Sequence, residues 1–420
     1  MTNHNFYNKI LKNQDIYSVL KKLGSPIWLY QADIIKKKIQ QLKKFDIIRF
    51  AQKACSNIHI LKLMKKNNVK VDAVSLGEIH RALYAGYTNK NDDIIFTADL
   101  FDKKTLKKIV EMNITVNAGS LDMLEQLGKI SPGHKVWLRI NPKFGHGHNK
   151  KTNTGGENSK HGIWETELAI PIIKKYKLKL IGLHMHIGSG VDYQHLKKVC
   201  NTMVNYALSL NQKIQAISAG GGLSIPYKST DQEIDIEHYF KLWNQTKKVI
   251  SKNLKTPITL EIEPGRFLVG ESGILVATVY AIKRVGKKIF TLVDAGFNDL
   301  IRPTLYGSYH HISVIKKNNI NDKKKKTMKT IIGGPLCESG DIFTQNEKNE
   351  LIERELPEIK IGDYLVFHNT GAYGATMSSN YNSKPLIPEV LFENNIPKII
   401  RRRQTIQDIL NLELNIKKEI

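Results

Sequence analysis

The residues best suited to chemistry in this sequence come at the ends of runs of β-branched and apolar residues. Lys53 ends one such run, the pair His184 and His186 ends another, and Glu263 with Arg266 ends a third. A lysine with apolar neighbours can be partly desolvated, which favours a nucleophilic amine able to form a Schiff base. A lysine at the end of a strand is more commonly a solvated charge, so both interpretations of Lys53 stay open here.

Other residues in the same stretch suit the binding of a phosphate and of a planar group. Gly220–Gly222 exposes backbone N–H groups that can bind a phosphate, although a plain turn is the alternative. An inward-facing Glu263 can keep a pyridine nitrogen protonated or can belong to a buried salt bridge, and Arg266 can bind a phosphate or a carboxylate. His184 and His186 lack a third ligand at suitable spacing, so we expect no metal site and place His186 against a planar group.

A single thiol lies in an acidic, glycine-rich stretch of the second half of the chain. Cys337 and Glu338 follow Gly333-Gly334-Pro335 and precede Asp341. A lone cysteine is usually a small core residue, but these turn-like surroundings favour a role for Cys337 in proton transfer. The three cysteines are far apart in the sequence, so we expect no disulfide framework and a reducing compartment.

The elements that must position these residues alternate regularly along the first two thirds of the chain. Apolar runs alternate with amphipathic stretches, which is typical of βα units around a parallel sheet. The eight predicted strands are Ile47–Lys53, Val69–Ser75, Asp93–Thr97, Ile114–Asn117, Lys135–Asn141, Lys179–Ile187, Ile214–Ala219 and Ile258–Glu263. Eight units favour a (β/α)8 barrel over an open doubly wound sheet, and barrel enzymes place their active sites at the C-terminal ends of the strands.

After Arg266 the pattern changes to short strands separated by turn residues, which predicts a second, all-β domain. We also predict a strand at Ile27–Tyr30, a capping box from Ser75 to Glu78 and a closing helix at Ile406–Leu414. The predicted domains are an N-terminal segment of the β-domain (residues 1–30), a barrel (31–270) and a C-terminal β-domain (271–420). The polar insertion Phe144–Gly162 follows the fifth strand, as an active-site loop would.

The bulk composition narrows the class of protein. The 420 residues are 41% hydrophobic and 25% charged, which is typical of a globular protein with more than one domain. Met1–Leu20 is polar and no apolar run reaches about 18 residues, so we expect neither a signal peptide nor a membrane span, and a cytoplasmic location. The net charge is +25, but the lysines are spread over the chain, so we expect no nucleic-acid partner.

The motifs together resemble those of the fold-type III pyridoxal-phosphate-dependent decarboxylases, a group that includes diaminopimelate, ornithine and arginine decarboxylases. The resemblance extends over nearly the whole chain and is strongest to the diaminopimelate branch. It implies an alanine-racemase-like barrel, a β-domain and pyridoxal 5′-phosphate as the cofactor. The strings that carry it are FAQKACSN, VDAVSLGEIHRAL, NTGGENSKHGIW, HMHIGSGVDY, ISAGGGLSIPY, EIEPGRFL, VDAGFNDLIRPTLYGSYHHI, GPLCESGD and GAYGATMSSNYNSKP.

The resemblance also implies a role for each residue in these strings. Lys53 would hold the cofactor covalently, His186 would stack on its ring and Glu263 would pair with its pyridine nitrogen. Cys337 would return a proton after carbon dioxide departs. The remaining residues implied to bind the cofactor are Ser189, Gly222, Pro264, Gly265, Arg266 and Tyr373.

The diaminopimelate branch implies meso-diaminopimelate as the substrate, whose distal end carries a carboxylate and an ammonium group. Arg266, Arg302 and Tyr306 would bind that carboxylate, Glu338 would receive the ammonium, and Tyr373 would also contact the substrate. The resemblance further implies a homodimer in which the β-domain of one subunit completes the barrel site of the other.

Three alternatives stay open from the sequence. An ornithine, arginine or carboxynorspermidine decarboxylase would need an acidic residue where Arg302 or Tyr306 stands. A non-catalytic binding protein of the same fold would not need Lys53, Glu263 and Cys337 together. A racemase is less consistent with the CESGD and NSKP segments.

Overall fold

The computed structural model describes residues 14–145, 154–186, 188, 190, 192–317 and 326–414. The chain divides into two compact units. The barrel unit contains Lys36–Ile225 and Gln232–Leu268, and the β unit contains Met1–Ile35, Pro226–Asp231 and Val269–Ile420. In the described ranges, no helix is both long enough and apolar enough to cross a membrane.

The barrel unit is built around eight parallel strands that close on themselves. They are β2 (Ile47–Ala51), β3 (Lys70–Ala73), β4 (Ile94–Ala98), β5 (Thr115–Ala118), β6 (Lys135–Arg139), β7 (Lys179–His184), β8 (Ala216–Ser218) and β9 (Thr259–Ile262). The barrel closes where β9 pairs with β2, with Ile47 opposite Glu261. The predicted (β/α)8 barrel is therefore confirmed, although most strands are shorter than predicted.

Helices connect the barrel strands, with one further helix before β2 and a short one after β9. They are α2 (Ala32–Gln41), α3 (Ile58–Lys66), α4 (Leu76–Tyr84), α5 (Lys103–Met112), α6 (Leu121–Ile130), α7 (Ala169–Lys175), α8 (Tyr193–Ser209), α9 (Ile236–Leu254) and α10 (Arg266–Val269). Several begin at a side chain that accepts a backbone N–H of the first turn, which stabilises the helix start. One half of the predicted capping box is confirmed, since the Glu78 N–H donates to Ser75 Oγ at 3.2 Å, whereas the Glu78 carboxylate accepts the N–H of Val74 instead of that of Ser75.

The β unit is a mixed sheet with one strand from the N-terminal region. Its strands are β1 (Ile27–Gln31), β10 (Gly273–Val285), β11 (Lys288–Val293), β12 (Ile312–Ile315), β13 (Thr327–Gly333), β14 (Arg354–Pro357), β15 (Tyr364–Phe367), β16 (Glu389–Glu393) and β17 (Ile396–Arg401). The strand order is β14-β13-β11-β10-β1-β16-β17, and β15 pairs with β10 and β12. The predicted all-β second domain is confirmed, and β1 lies between β10 and β16.

Three helices complete the β unit: α1 (Gln14–Leu23), α11 (Arg302–Tyr306) and α12 (Ile406–Leu414). On α1, Ile16, Val19 and Leu20 are spaced to form one apolar stripe, and all three are buried against the sheet. The short stretch 226–231 also belongs to this unit, which the sequence did not predict. Asn369 Nδ2 donates to the Pro226 carbonyl at 2.9 Å.

A buried ion pair crosses the seam of the barrel. Arg49 on β2 and Glu261 on β9 are 1% and 3% exposed. The guanidinium donates from Nε to Glu261 Oε2 at 2.5 Å and from Nη1 to the Asp92 carbonyl at 2.6 Å. The ion pair therefore links the first and last barrel strands, where an uncompensated charge would be costly.

We predict that Glu261→Gln destabilises the protein by about 3–5 kcal/mol, because it leaves the Arg49 charge buried without a counter-ion. Urea unfolding followed by far-UV circular dichroism measures the change. The matched control is Glu237→Gln, which removes an exposed ion pair with Lys44 and should cost less than about 1 kcal/mol. Equal shifts for the two variants would contradict the prediction.

Candidate active site

Lys53 lies in a 3-10 turn, Gln52–Ala54, directly after β2. Lys53 is exposed and its two neighbours in the turn are buried, so of the two interpretations left open, the side chain is solvated here. The Pro264-Gly265 segment packs against this turn. The Ala51 N–H donates to the Pro264 carbonyl at 3.2 Å, and a Cβ on Gly265 would lie 3.3 Å from the Ala51 carbonyl oxygen. The small residue at 265 allows the strand end that precedes Arg266 to approach the lysine turn closely.

Glu263 follows β9 and is 7% exposed. Its Oε2 lies 2.7 Å from His184 Nε2, and its Oε1 accepts the Ser218 hydroxyl at 3.1 Å. Burial acts to raise the pKa of this carboxyl, but the charge and hydrogen bond of His184 and the hydrogen bond of Ser218 outweigh burial and lower the pKa. Glu263 is therefore an ionised carboxylate in the barrel interior.

A second interior acid, Asp72 on β3, has its pKa shifted in the opposite direction from that of Glu263. Burial and the nearby charge of Glu263 raise its pKa well above the ordinary value, and the charge of Lys53 only partly opposes this. Two carboxylates whose pKa values are pushed apart can divide acid and base roles between them. Sequence reasoning missed Asp72, although its signal, an acid inside the apolar strand Val71-Asp72-Ala73, is the one that drew attention to Glu263.

His186 lies two residues beyond the end of β7, not on the strand as predicted. Burial and the positive charges of Lys53 and Arg139 keep its pKa well below the ordinary value, so the imidazole is neutral. Its Nδ1 is buried and has no hydrogen-bond partner among the residues that the structure describes. A neutral ring of this kind is suited to stack on a planar group.

The glycine run after β8 approaches its neighbours too closely for any side chain. A Cβ on Gly222 would lie 2.4 Å from the Gly188 carbonyl, and the Gly190 N–H donates to the Gly222 carbonyl at 2.9 Å. Gly220 has a φ of +63° and accepts the Glu263 N–H at 2.8 Å. The run is therefore held beside both Glu263 and the segment after β7. Ser189, which was predicted to bind the phosphate, lies outside the described residues.

Several buried polar atoms at this end of the barrel lack a hydrogen-bond partner within the described chain. Such atoms are rare in proteins and call for an explanation, such as a ligand or ordered water. They belong to Gln52, Asp72, Asn117, His184 and His186. They follow or end β2, β3, β5 and β7, so the unpartnered groups belong to the same end of the barrel as Lys53 and Glu263. Among the described His, Cys, Asp and Glu side chains, none forms a cluster suited to a metal ion.

In the β unit, Arg302 and Tyr306 lie at the two ends of α11. The Arg302 guanidinium is buried and is oriented by three side chains. Its Nη1 donates to the Tyr227 hydroxyl and lies 3.0 Å from His310 Nε2, and its Nη2 donates to the Ser308 hydroxyl at 3.2 Å. Arg302 is therefore a fixed cation, as a binding site for a carboxylate requires.

The loop that carries Cys337 and Glu338 is folded around the side chain of Asp341. The two Asp341 oxygens accept the N–H groups of Phe297 and Leu336 at 2.7 and 2.8 Å. Cys337 and Glu338 are both exposed. The Cys337 N–H donates to Asn382 Oδ1 at 3.0 Å, which fixes the backbone beside the thiol.

The structure brings the Cys337 loop and α11 together within the β unit. The Thr304 hydroxyl on α11 donates to the Gly340 carbonyl at 3.0 Å. Tyr373, from a different loop, has a φ of +58°, an uncommon conformation for a bulky residue. Gly371 beside it allows a close approach, because a Cβ there would lie 2.0 Å from the Val269 carbonyl. Backbone strain of this kind is most often found where a side chain has a functional position.

A comparison with protein families agrees with this arrangement. Residues 31–270 match the model described as "Pyridoxal-dependent decarboxylase, pyridoxal binding domain". The match covers more than half of the chain and includes the lysine turn, the glycine run and Glu263. The chain therefore belongs to the pyridoxal-dependent decarboxylases, and its cofactor is pyridoxal 5′-phosphate.

Individual relatives indicate the branch of the family to which the chain belongs. It is 65% identical to the diaminopimelate decarboxylase of Buchnera aphidicola subsp. Schizaphis graminum, over 98% of each chain. A crystal structure of a diaminopimelate decarboxylase has a TM-score of 0.94 and 56% identity, covering 97% of this chain and 99% of the other. The Helicobacter pylori diaminopimelate decarboxylase complexed with L-lysine has a TM-score of 0.83 and 29% identity, covering 95% and 99%. Within its family, the chain belongs with the diaminopimelate decarboxylases.

Asp299 is a buried acid three residues before Arg302, and it was not singled out from the sequence. It is 1% exposed, and its Oδ2 accepts the Gly296 N–H at 3.1 Å. Its Oδ1 has no partner in the described part of the chain. Burial raises the pKa of Asp299 to about 7, and the hydrogen bond of Gly296 and the charge of Lys384 oppose it only partly. The group therefore changes its charge near neutral pH.

We predict that Asp299→Asn stabilises the protein more at pH 8.5 than at pH 5.5. The folded-state pKa is raised, so the folded state holds a proton that the unfolded state releases at lower pH. The stability that this group contributes is therefore lost progressively as the pH rises from about 4, the unfolded pKa, to about 7, the folded pKa, by roughly 4 kcal/mol in all. The amide variant does not undergo this loss.

Thermal unfolding at several pH values, with wild type and variant side by side, tests this prediction. Asp122→Asn, which changes an exposed acid on α6, is the control and should alter Tm by a similar small amount at every pH. A Tm difference between the Asp299→Asn variant and wild type that stays constant from pH 5.5 to 8.5 would overturn the assignment.

Proposed function

We propose that this chain decarboxylates meso-2,6-diaminopimelate to L-lysine and carbon dioxide, the final step of lysine biosynthesis. The observation that carries the proposal is the ionised Glu263, buried in the barrel and held by His184 and Ser218. An ionised carboxylate has lone pairs for about four hydrogen bonds, so Glu263 can accept a further proton-bearing partner beside His184 and Ser218. The protonated ring nitrogen of pyridoxal phosphate is a partner of this kind.

The barrel mouth fits this cofactor. The unpartnered buried atoms of Asp72 and His186 provide polar contacts, and the neutral His186 ring provides a stacking surface. The glycine run after β8 leaves backbone room for a phosphate, which Arg266 would also contact. When bound, pyridoxal phosphate supplies an electron sink for the pair of electrons left on Cα as carbon dioxide departs.

The chain's own residues then perform the remaining tasks. Lys53 Nζ would hold the cofactor and would give up its place to the substrate amine. Glu263, as a carboxylate, would accept the hydrogen bond of the protonated ring nitrogen and so favour the proton staying on that atom. Cys337 Sγ, or a water that it orders, returns a proton to Cα. The exposed position of Cys337 on its rigid turn is consistent with this role.

The distal end of the substrate determines the specificity in this proposal. Arg302, already oriented by its neighbours, and Tyr306 would bind the distal carboxylate, and Glu338 would receive the distal ammonium. The Helicobacter pylori relative was solved with L-lysine, the product proposed here. An ornithine-type substrate, which lacks a distal carboxylate, would place its bare amine against a buried arginine. The high identity to diaminopimelate decarboxylases also argues against a non-catalytic relative.

We expect the purified protein to show the visible absorbance of lysine-bound pyridoxal and to release carbon dioxide and L-lysine from meso-diaminopimelate. Lys53→Ala should abolish the visible band and lower kcat/KM by at least about 10³-fold, because the attachment amine is lost. Lys62→Ala, at an exposed lysine of α3, should leave both unchanged.

The visible absorbance tests whether the protein binds pyridoxal phosphate, and the product assay tests which substrate it uses. A protein that takes up no pyridoxal phosphate would reject the enzyme assignment as a whole. A coloured protein that acts on ornithine or arginine but not on meso-diaminopimelate would keep the cofactor site and reject the substrate.

We further propose a cytoplasmic homodimer with shared active sites, in which the β unit of one subunit completes the barrel of the other. The family resemblance supports the dimer, and an exposed free thiol at Cys337 favours a reducing compartment. Subunits carrying Lys53→Ala and Cys337→Ala should each be inactive alone. After random mixing they should recover about a quarter of the wild-type activity, since half of the dimers then contain one intact site. No recovery in a confirmed mixed dimer would reject shared sites.

A further inference from the structure

The described residues at the two ends of the polar insertion after β6 lie in contact with each other, and we call this contact the neck. On the outgoing side is Phe144, and on the returning side are Gly155 and Gly156. A Cβ on Gly155 would lie 2.3 Å from the Phe144 carbonyl oxygen. Asn141 holds the neck: its Oδ1 accepts the Gly156 N–H at 2.9 Å and its Nδ2 donates to the Gly156 carbonyl at 3.2 Å. The returning arm, residues 154–163, therefore starts from a fixed point.

The far end of the returning arm is bound to a single carboxylate. Asp99 follows β4, and its Oδ1 accepts the Gly162 N–H at 3.1 Å while its Oδ2 lies 2.5 Å from His161 Nδ1. Burial acts to raise the pKa of Asp99, but the hydrogen bond of His161 and the charge of Arg139 outweigh it and lower the pKa. The carboxylate is therefore ionised and accepts from both neighbouring residues of the arm.

The returning arm also contacts the residue assigned to the cofactor ring. The Thr154 hydroxyl donates to the His186 carbonyl at 2.8 Å. One end of the arm thus holds the backbone of His186, and the other end is fixed to the barrel by Asp99.

We propose that Asp99 and His161 are a positioning pair, which holds the returning arm in place so that Thr154 fixes His186 against the cofactor ring. The proposal rests on the proposed function, because it assumes that His186 meets the cofactor. Neither residue of the pair needs to touch the cofactor or the substrate. The pair acts by removing freedom from the backbone that carries the stacking imidazole.

Matched variants of His161 separate positioning from general structure. His161→Asn keeps an amide nitrogen at the place of Nδ1 and should retain the bond to Asp99, whereas His161→Leu removes it. His80→Leu, at an exposed histidine of α4, is the control for the substitution itself. Asp99→Leu should resemble His161→Leu, because it removes both oxygens that accept from Gly162 and His161.

The first readout needs no cofactor. Hydrogen exchange of the 154–163 peptide in the cofactor-free protein should quicken about tenfold at the Gly162 amide in His161→Leu, as expected for the loss of one hydrogen bond. It should stay near the wild-type rate in His161→Asn and in the control. Unchanged exchange in His161→Leu would show that the pair does not hold the arm.

The second readout is the circular dichroism of the cofactor's visible band in the loaded protein, with the cofactor dissociation constant beside it. We expect His161→Leu to alter the band and weaken binding several-fold, and His161→Asn to restore both. Faster exchange with an unchanged band and affinity would overturn the positioning role. If even the wild-type protein binds no pyridoxal phosphate, the proposed function fails, and the positioning role that rests on it fails with it.

Discussion

A buried negative charge is the constraint on which the active end of the barrel depends. Glu263 can stay ionised away from water only because His184 and Ser218 donate to its two oxygens. Those two donors come from neighbouring strands, and the register of the barrel pairs His184 with Ser218 and Ser218 with Glu261. A slip of one residue would turn the side chains to the other face. The closed barrel therefore fixes the charge state of the site as well as its shape.

The barrel interior carries polar groups at two levels. Near the seam, Arg49 and Glu261 neutralise each other and mainly serve the structure. Nearer the C-terminal ends of the strands, Asp72 and His186 have buried atoms without partners in the described chain. The first level is satisfied internally, whereas the second is suited to a ligand. Residues placed for function in this way commonly reduce the stability of the protein that carries them.

In the β unit, buried carboxylates position the loops that carry the functional residues. Its functional residues lie on loops, and the loop of Cys337 is shaped by one buried carboxylate, Asp341, that accepts two backbone N–H groups. Asp299, in the loop after β11 of the same unit, is also buried, with a pKa raised to about 7 by that burial. Buried carboxylates thus substitute for regular strand pairing where the chain must turn sharply.

The sequence by itself determined the fold class, since the alternation of apolar runs and helical stretches reports which faces must be buried. The motifs around Lys53, Glu263 and Cys337 were also sufficient to indicate the family. Only the tertiary structure decided the pKa values of the buried carboxyl groups. Asp72 on β3 and Glu263 directly after β9 are both buried acids with apolar neighbours, yet one carboxyl has a raised pKa and the other a lowered one. That difference depends on partners far away in the chain, such as His184, which only the closed barrel brings within hydrogen-bond distance.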